Sequence, residues 1–139
     1  MTTASTVRVT APRPFSREDY VAALDAAPKP PPGVNAGHYK SGLVRMRRVL
    51  KAAGVPMGKL IGRYAPFGAQ QDIVEGIRVR RVGCGTSVSV HALVREHSNE
   101  RASDRRWLEV QALTALWAAG FAPEGNACHG FFRFAQGAS

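Results

Sequence analysis

Between Ile77 and Val94 apolar and polar residues largely alternate, and this period of two constrains the fold more than any other feature of the chain. Ile77 and Val79 alternate with Arg78 and Arg80, and Val88, Val90, Ala92 and Val94 alternate with Ser87, Ser89, His91 and Leu93. Successive side chains of a strand point to opposite faces, so the pattern suits a half-buried strand and cannot line one side of a helix. Gly83-Cys84-Gly85 separates the two runs and predicts a hairpin turn. The hairpin, over 73–95, is expected to carry Arg78, Arg80, Ser89 and His91 on its outward face.

Helical signals surround it. Ser16 is placed to cap a helix running to about Ala27, with Glu18 in the first turn and Asp19 at the third helical position. Phe15 and Tyr20 stand at the spacing of a hydrophobic staple, and Pro28 ends the helix. Pro28-Lys29-Pro30-Pro31-Pro32-Gly33 reads as a stiff linker. From about Gly37 to Ala53 the residues Tyr39, Leu43, Met46, Val49, Leu50 and Ala53 share one side of a helix. Lys40, Arg47, Arg48, Lys51 and, more loosely, Arg45 share the other. Gly54 is a natural C-terminal cap, and a shorter helical turn is expected from Pro56 to near Tyr64. Ser103 is expected to cap a helix that runs to about Ala119 and is closed by Gly120. Its large residues, Trp107, Leu108, Val110, Leu113, Leu116 and Trp117, do not keep to one stripe, which predicts two packed surfaces. The segments 49–56 and 115–123 echo each other as helix ends with the same need for glycine. Phe131 to Phe134 reads as a short strand with Phe132 and Phe134 inward, leaving Phe131 and Arg133 outward.

These elements define an α+β class: a small antiparallel sheet, made of the hairpin and a C-terminal strand, covered by a helix and preceded by a basic helical segment. The expected organisation is a flexible arm over 1–14, a short helix and Pro-rich linker over 15–36 forming an appendage, and a single domain over 37–139 whose basic helical segment is 37–64. With 139 residues, 45% of them hydrophobic, the chain has the material for one packed core.

Charge narrows the function. Between Asp25 and Asp72 there is no acidic residue, yet Lys29, Lys40, Arg45, Arg47, Arg48, Lys51, Lys59 and Arg63 all fall in that window. Since the formal net charge is +9, nearly all the excess lies in one third of the chain. Such a concentrated field attracts polyanions.

The stretch Ala53-Gly54-Val55-Pro56-Met57-Gly58-Lys59-Leu60-Ile61-Gly62-Arg63-Tyr64 resembles the turn and recognition helix of tetracycline-repressor-type regulators, at Ala53, Gly54, Val55, Gly58, Leu60 and, in aromatic character, Tyr64. Pro56 stands in place of that family's capping Ser, and Ile61 in place of a Tyr. The resemblance covers a dozen residues and implies a helix-turn-helix over 44–64, with Lys59 and Arg63 facing a groove and Arg45, Arg47, Arg48 and Lys51 binding phosphates. The plainer alternative is a Gly-capped helix followed by a turn. His129-Gly130-Phe131-Phe132-Arg133-Phe134 is similar in part to the aromatic strand of RNA-recognition motifs, with a core role for its rings as the alternative.

Nothing in the spacing points to catalysis. Cys84, His91, His97, Cys128 and His129 form no standard metal-ligand set, and no nucleotide-binding glycine loop or paired carboxylates occur. A non-enzymatic protein without metal or cofactor is expected. Residues 1–14 lack the apolar core of a secretory signal and no apolar run is long enough to span a membrane. Two cysteines are too few for a disulfide framework, so a reducing, cytoplasmic setting is expected.

The functional expectation is nucleic-acid binding, DNA ahead of RNA, through Lys40, Arg45, Arg47, Arg48, Lys51, Lys59 and Arg63, extended by Arg78 and Arg80. The alternative is a structural or inhibitory interaction subunit, of the kind found in viral particles or mobile elements. Its basic face would dock on an acidic protein, and Trp107 and Trp117 would build a homo-oligomer.

Overall fold

The computed structural model describes residues 8–31, 39–61, 72–82, 87–95, 99–123 and 130–134. Its elements are α1 (Arg17–Ala26), α2 (Tyr39–Ala52), β1 (Lys59–Ile61), β2 (Asp72–Val74), β3 (Gly76–Arg81), β4 (Ser87–Leu93), α3 (Ala102–Ala118) and β5 (Phe131–Arg133). Two antiparallel sheets form, β1-β2 and β3-β4-β5, and helices cover one face of the larger.

The alternation in β3 and β4 does what its period demands. Ile77 and Val79 are buried opposite Ala92 and Val90, while Arg78 pairs with His91 and Arg80 with Ser89 on the other face. β5 joins β4 through Ser87↔Arg133, Val88↔Phe132 and Ser89↔Phe131. Phe132 and Phe134 enter the core, and Phe131 and Arg133 point outward. Each outer edge of this sheet meets one further backbone bridge. Ile77 exchanges backbone hydrogen bonds with Pro56 and Gly58 (2.8 and 2.9 Å), and Pro123 bridges to Phe132 beside β5.

α3 is the hub, in contact with α1, α2, β3 and β4. That explains its lack of a single apolar stripe: Leu108, Ala112, Leu113, Leu116 and Trp117 are all buried, toward different neighbours. Both α2 and α3 end in the same glycine cap. Gly54 (φ 78°) and Gly120 (φ 98°) donate to Lys51 and Trp117 (3.1 and 3.0 Å), and the next residues, Val55 and Phe121, donate to Leu50 and Leu116, each at 3.0 Å. Val55 and Phe121 are both buried, as the apolar contact of this cap requires. The echo between 49–56 and 115–123 is this shared motif.

Several expectations are corrected. Residues 56–61 form no helix. After the cap the chain runs along β3 and then pairs as β1, with Lys59↔Val74, Leu60↔Ile73 and Ile61↔Asp72. A helix here would carry Gly58 in its interior at about 1 kcal/mol relative to Ala and be too short to persist on propensity. The approach to β3 is instead very close. A Cβ on Gly76 (φ 149°) would lie 2.6 Å from backbone atoms of Pro56, Met57 and Gly58. The helix-turn-helix therefore lacks its second helix over 59–61.

α1 is not an appendage. Ser16 and Asp19 form the reciprocal cap (3.0 and 3.2 Å), and Ala27 is extended, as a residue before proline must be. Leu24 is buried in the core, the Phe15 ring meets Trp107 edge-on at 5.7 Å, and the Tyr20 hydroxyl donates to Glu109 (2.9 Å). Lys29 folds back to donate to the Leu24 carbonyl (2.6 Å), with its ammonium 4.7 Å from the Trp117 ring centroid. Ser103 does not cap α3, which is entered through a 3₁₀ turn (Asn99–Arg101). Its Oγ accepts from the Phe15 N–H (2.9 Å).

The described end of the expected flexible arm is anchored by a buried ionic cluster. Arg101 is 6% exposed and Glu75 3%. The Arg101 guanidinium donates to both Glu75 oxygens (2.7 and 2.8 Å), to Asp104 (2.7 Å) and to the carbonyls of Val9 and Arg95. Glu75 also accepts from the Val9 and Arg95 N–H groups, and Asp104 from Ala11 N–H (2.7 Å). Burial pushes Glu75 upward, but the Arg101 and backbone hydrogen bonds outweigh it and hold the carboxyl at about 2.

Candidate nucleic-acid interface

α2 buries Met46 and Leu50 and leaves Lys40, Arg45, Arg47, Arg48 and Lys51 exposed. Gly42 sets how close the helix lies, because a Cβ there would run into the Phe134 ring. Arg47 Nη2 donates to the Val79 carbonyl (3.0 Å), so α2 lies along the outer edge of β3. Arg78 and Arg80 flank Val79 on that strand and stand on the sheet's outer face. Arg47, Arg78 and Arg80 thus meet around one stretch of β3. Lys59 is exposed on β1, one residue beyond the Gly58 N–H that bonds Ile77. Arg45 lies 5.0 Å from the Phe121 ring centroid, a cation–π contact that anchors its stem while the charge stays at the surface.

Across the outer sheet face, β5 adds what the hairpin alone does not have. Arg80, Ser89 and Phe131 form one row over the three strands, Arg78 and His91 form a second, and Ser87 and Arg133 a third. No helix covers this face among the described residues. α2, β3, β4 and β5 together carry Lys40, Arg45, Arg47, Arg48, Lys51, Arg78, Arg80, Arg81 and Arg133, and not one acidic residue. The carboxylates among the described residues lie elsewhere: Glu18, Asp19 and Asp25 on α1, Asp72 on β2, Glu100 in the 3₁₀ turn, Glu109 on α3, and Glu75 and Asp104 consumed by Arg101. The field also acts on His91. Burial first, then Arg78 and Arg80, lower its pKa below the ordinary value, so its imidazole is neutral at pH 7.

The structure thus brings Arg47, Arg78 and Arg80 together and places Arg45, Arg48, Lys51 and Lys40 along the adjoining helix. Lys29 is used as a helix cap. Trp117, 2% exposed, belongs to the core and offers no docking surface, because α3 is packed on several sides; Trp107 is half-buried against Phe15. Arg63, His38, Cys84, His97, Cys128 and His129 lie outside the described residues. Among those described, no group of three or more His, Cys, Asp or Glu side chains could hold a metal ion, and no helix is long and apolar enough to cross a membrane. The contribution of Phe131 and Arg133 was only half visible in the sequence. Alternation turned them outward, but only the strand order sets them beside Ser89 and Arg80.

Compared with known protein families, curated proteins and solved structures, the chain has no significant match.

Proposed function

We propose that the protein is a non-enzymatic nucleic-acid-binding protein whose contact surface runs from the exposed side of α2 onto the outer face of the β3-β4-β5 sheet. The observation that carries this reading is that these four elements hold no acidic residue and eight cations, Arg81 on the opposite sheet face apart, along α2 and the outer sheet face. Arg48, Lys51, Arg78 and Arg80 are not committed to ion pairs among the described residues, so phosphates would be their first strong partners. Binding of this kind is directed at the backbone. Neutralising about six phosphates of a duplex costs about a thousand-fold in affinity between low and moderate salt. With a strand at 59–61, the described residues place no recognition helix there for groove reading of duplex DNA, and the reading extends equally to RNA.

The test is titration of labelled duplex DNA and of RNA at two salt concentrations, with the wild type and with Arg48→Glu combined with Lys51→Glu. Tight binding at low salt that the double reversal abolishes supports the reading. Absence of binding at low salt overturns it, and a stoichiometric complex with an acidic protein in its place would identify the docking alternative.

A further inference from the structure

We propose that the outer face of β3-β4-β5 is a platform for single-stranded nucleic acid, with a base stacked on Phe131 and the adjoining phosphates on Arg78 and Arg80. The inference rests on the phosphate-directed reading above and adds to it the strandedness of the ligand and the residue that distinguishes it.

Phe131 is the first observation. It is 40% exposed, because alternation turns its large ring to the outer face while Phe132 and Phe134 are buried on the other. Its position is the second. Ser89 lies between Phe131 and Arg80 in one cross-strand row, and neighbouring strands are about 4.8 Å apart. The small serine leaves a shallow trough, walled by an aromatic ring on one side and a guanidinium on the other, roughly 10 Å apart at the backbone. A base lying on the ring would present its phosphate toward the arginine side.

The third observation is repetition. Arg78 and Arg80 stand two residues apart on the same face, about 7 Å along the strand, a spacing that suits successive phosphates of an extended strand. Beside Arg78 in the next row is His91, a flat imidazole whose pKa is lowered by burial first and then by Arg78 and Arg80. Aromatic rings flanked by cations are the common means of holding single strands without sequence preference, because every base has a π-face. A duplex hides those faces. It could use the arginines but not the ring.

The experiment compares an oligothymidylate, an oligouridylate and a duplex of equal phosphate number, each titrated at fixed low salt against wild type, Phe131→Ala, Phe131→Trp and Arg78→Gln combined with Arg80→Gln. Phe131→Ala is expected to weaken single-strand binding roughly 5- to 100-fold and to leave duplex binding unchanged. Phe131→Trp is expected to retain single-strand binding, with its indole emission quenched on saturation. The arginine pair is expected to weaken all ligands. If Phe131→Ala leaves single strands unaffected, or weakens duplex equally, the stacking platform is wrong while the phosphate reading stands. If the wild type binds none of the three, both fall.

Discussion

Replacing Arg101 by methionine tests the buried cluster that joins the N-terminal segment to the rest of the molecule. Methionine fills comparable space but leaves the Glu75 carboxylate, 3% exposed, with the Val9 and Arg95 N–H groups and a longer ion pair to Arg95 Nε at 3.5 Å in place of the bidentate guanidinium. Holding Glu75 at about 2 instead of the usual 4.5 corresponds to about 3 kcal/mol. Asp104 loses its Nε partner as well, so the cost at neutral pH is expected in the range of about 3–5 kcal/mol typical of orphaning a buried charge. The pH dependence has a definite sign. A carboxylate depressed in the folded state stabilises fully above 4.5, and that contribution is lost as pH falls toward 2. In Arg101→Met, burial is opposed only by the two N–H groups and the longer Arg95 pair, so Glu75 moves upward and acidification relieves the under-paired charge. The gap between wild type and variant should therefore narrow as pH is lowered from 7 to 4. Urea denaturation followed by the emission of Trp107 and Trp117 measures both. Adding Glu75→Gln to the variant removes the orphan charge and should recover part of the loss. A cost below about 1 kcal/mol, a gap that widens in acid, or a double variant no better than the single would refute the reasoning.

Other outcomes follow from the packing and the field. Leu24→Ala should cost about 2–5 kcal/mol in the same assay, since α1 is part of the core; an appendage would show almost no change. Gly42→Ala should destabilise by about 1–3 kcal/mol despite alanine's helix preference, because the new methyl meets the buried Phe134 ring; a gain in melting temperature would contradict the close approach of α2 to Phe134. His91, lowered by burial and by Arg78 and Arg80, should titrate at a higher pH once a polyanion neutralises those arginines; an unchanged NMR titration in the complex would place the ligand elsewhere.

The hairpin, the cap at Ser16 and both glycine-closed helix ends were legible because each depends on residues close in sequence. The period of β3 and β4, the Ser16–Asp19 pair and the positive φ at Gly54 and Gly120 are local properties. What escaped depends on partners far along the chain. Residues 59–61 become a strand because residues 72–74 lie beside them, and nothing within 53–64 announces that pairing. Arg101 reads as one more surface charge until Glu75 and Asp104 close around it, and Lys29 counts toward a basic field until the carbonyls at the end of α1 claim it. Trp117 resembles a docking residue until α3 is seen packed against helices and sheet together. The candidate site was legible as charge: exposed cations on one side of α2 and one side of β3. Its extension onto Phe131 and Arg133 required the strand order β3-β4-β5, which composition and period do not encode.

The central claim is that phosphates are read by the cations around β3 and α2. Its most direct test is the slope of log affinity against log salt for a single-stranded oligonucleotide, measured for the wild type and for Arg78→Gln combined with Arg80→Gln. The expected result is measurable binding at low salt, a steep negative slope, and a slope shallower by about 0.7 for each phosphate that the variant no longer neutralises. No binding at low salt, or the same slope in both proteins, would contradict it.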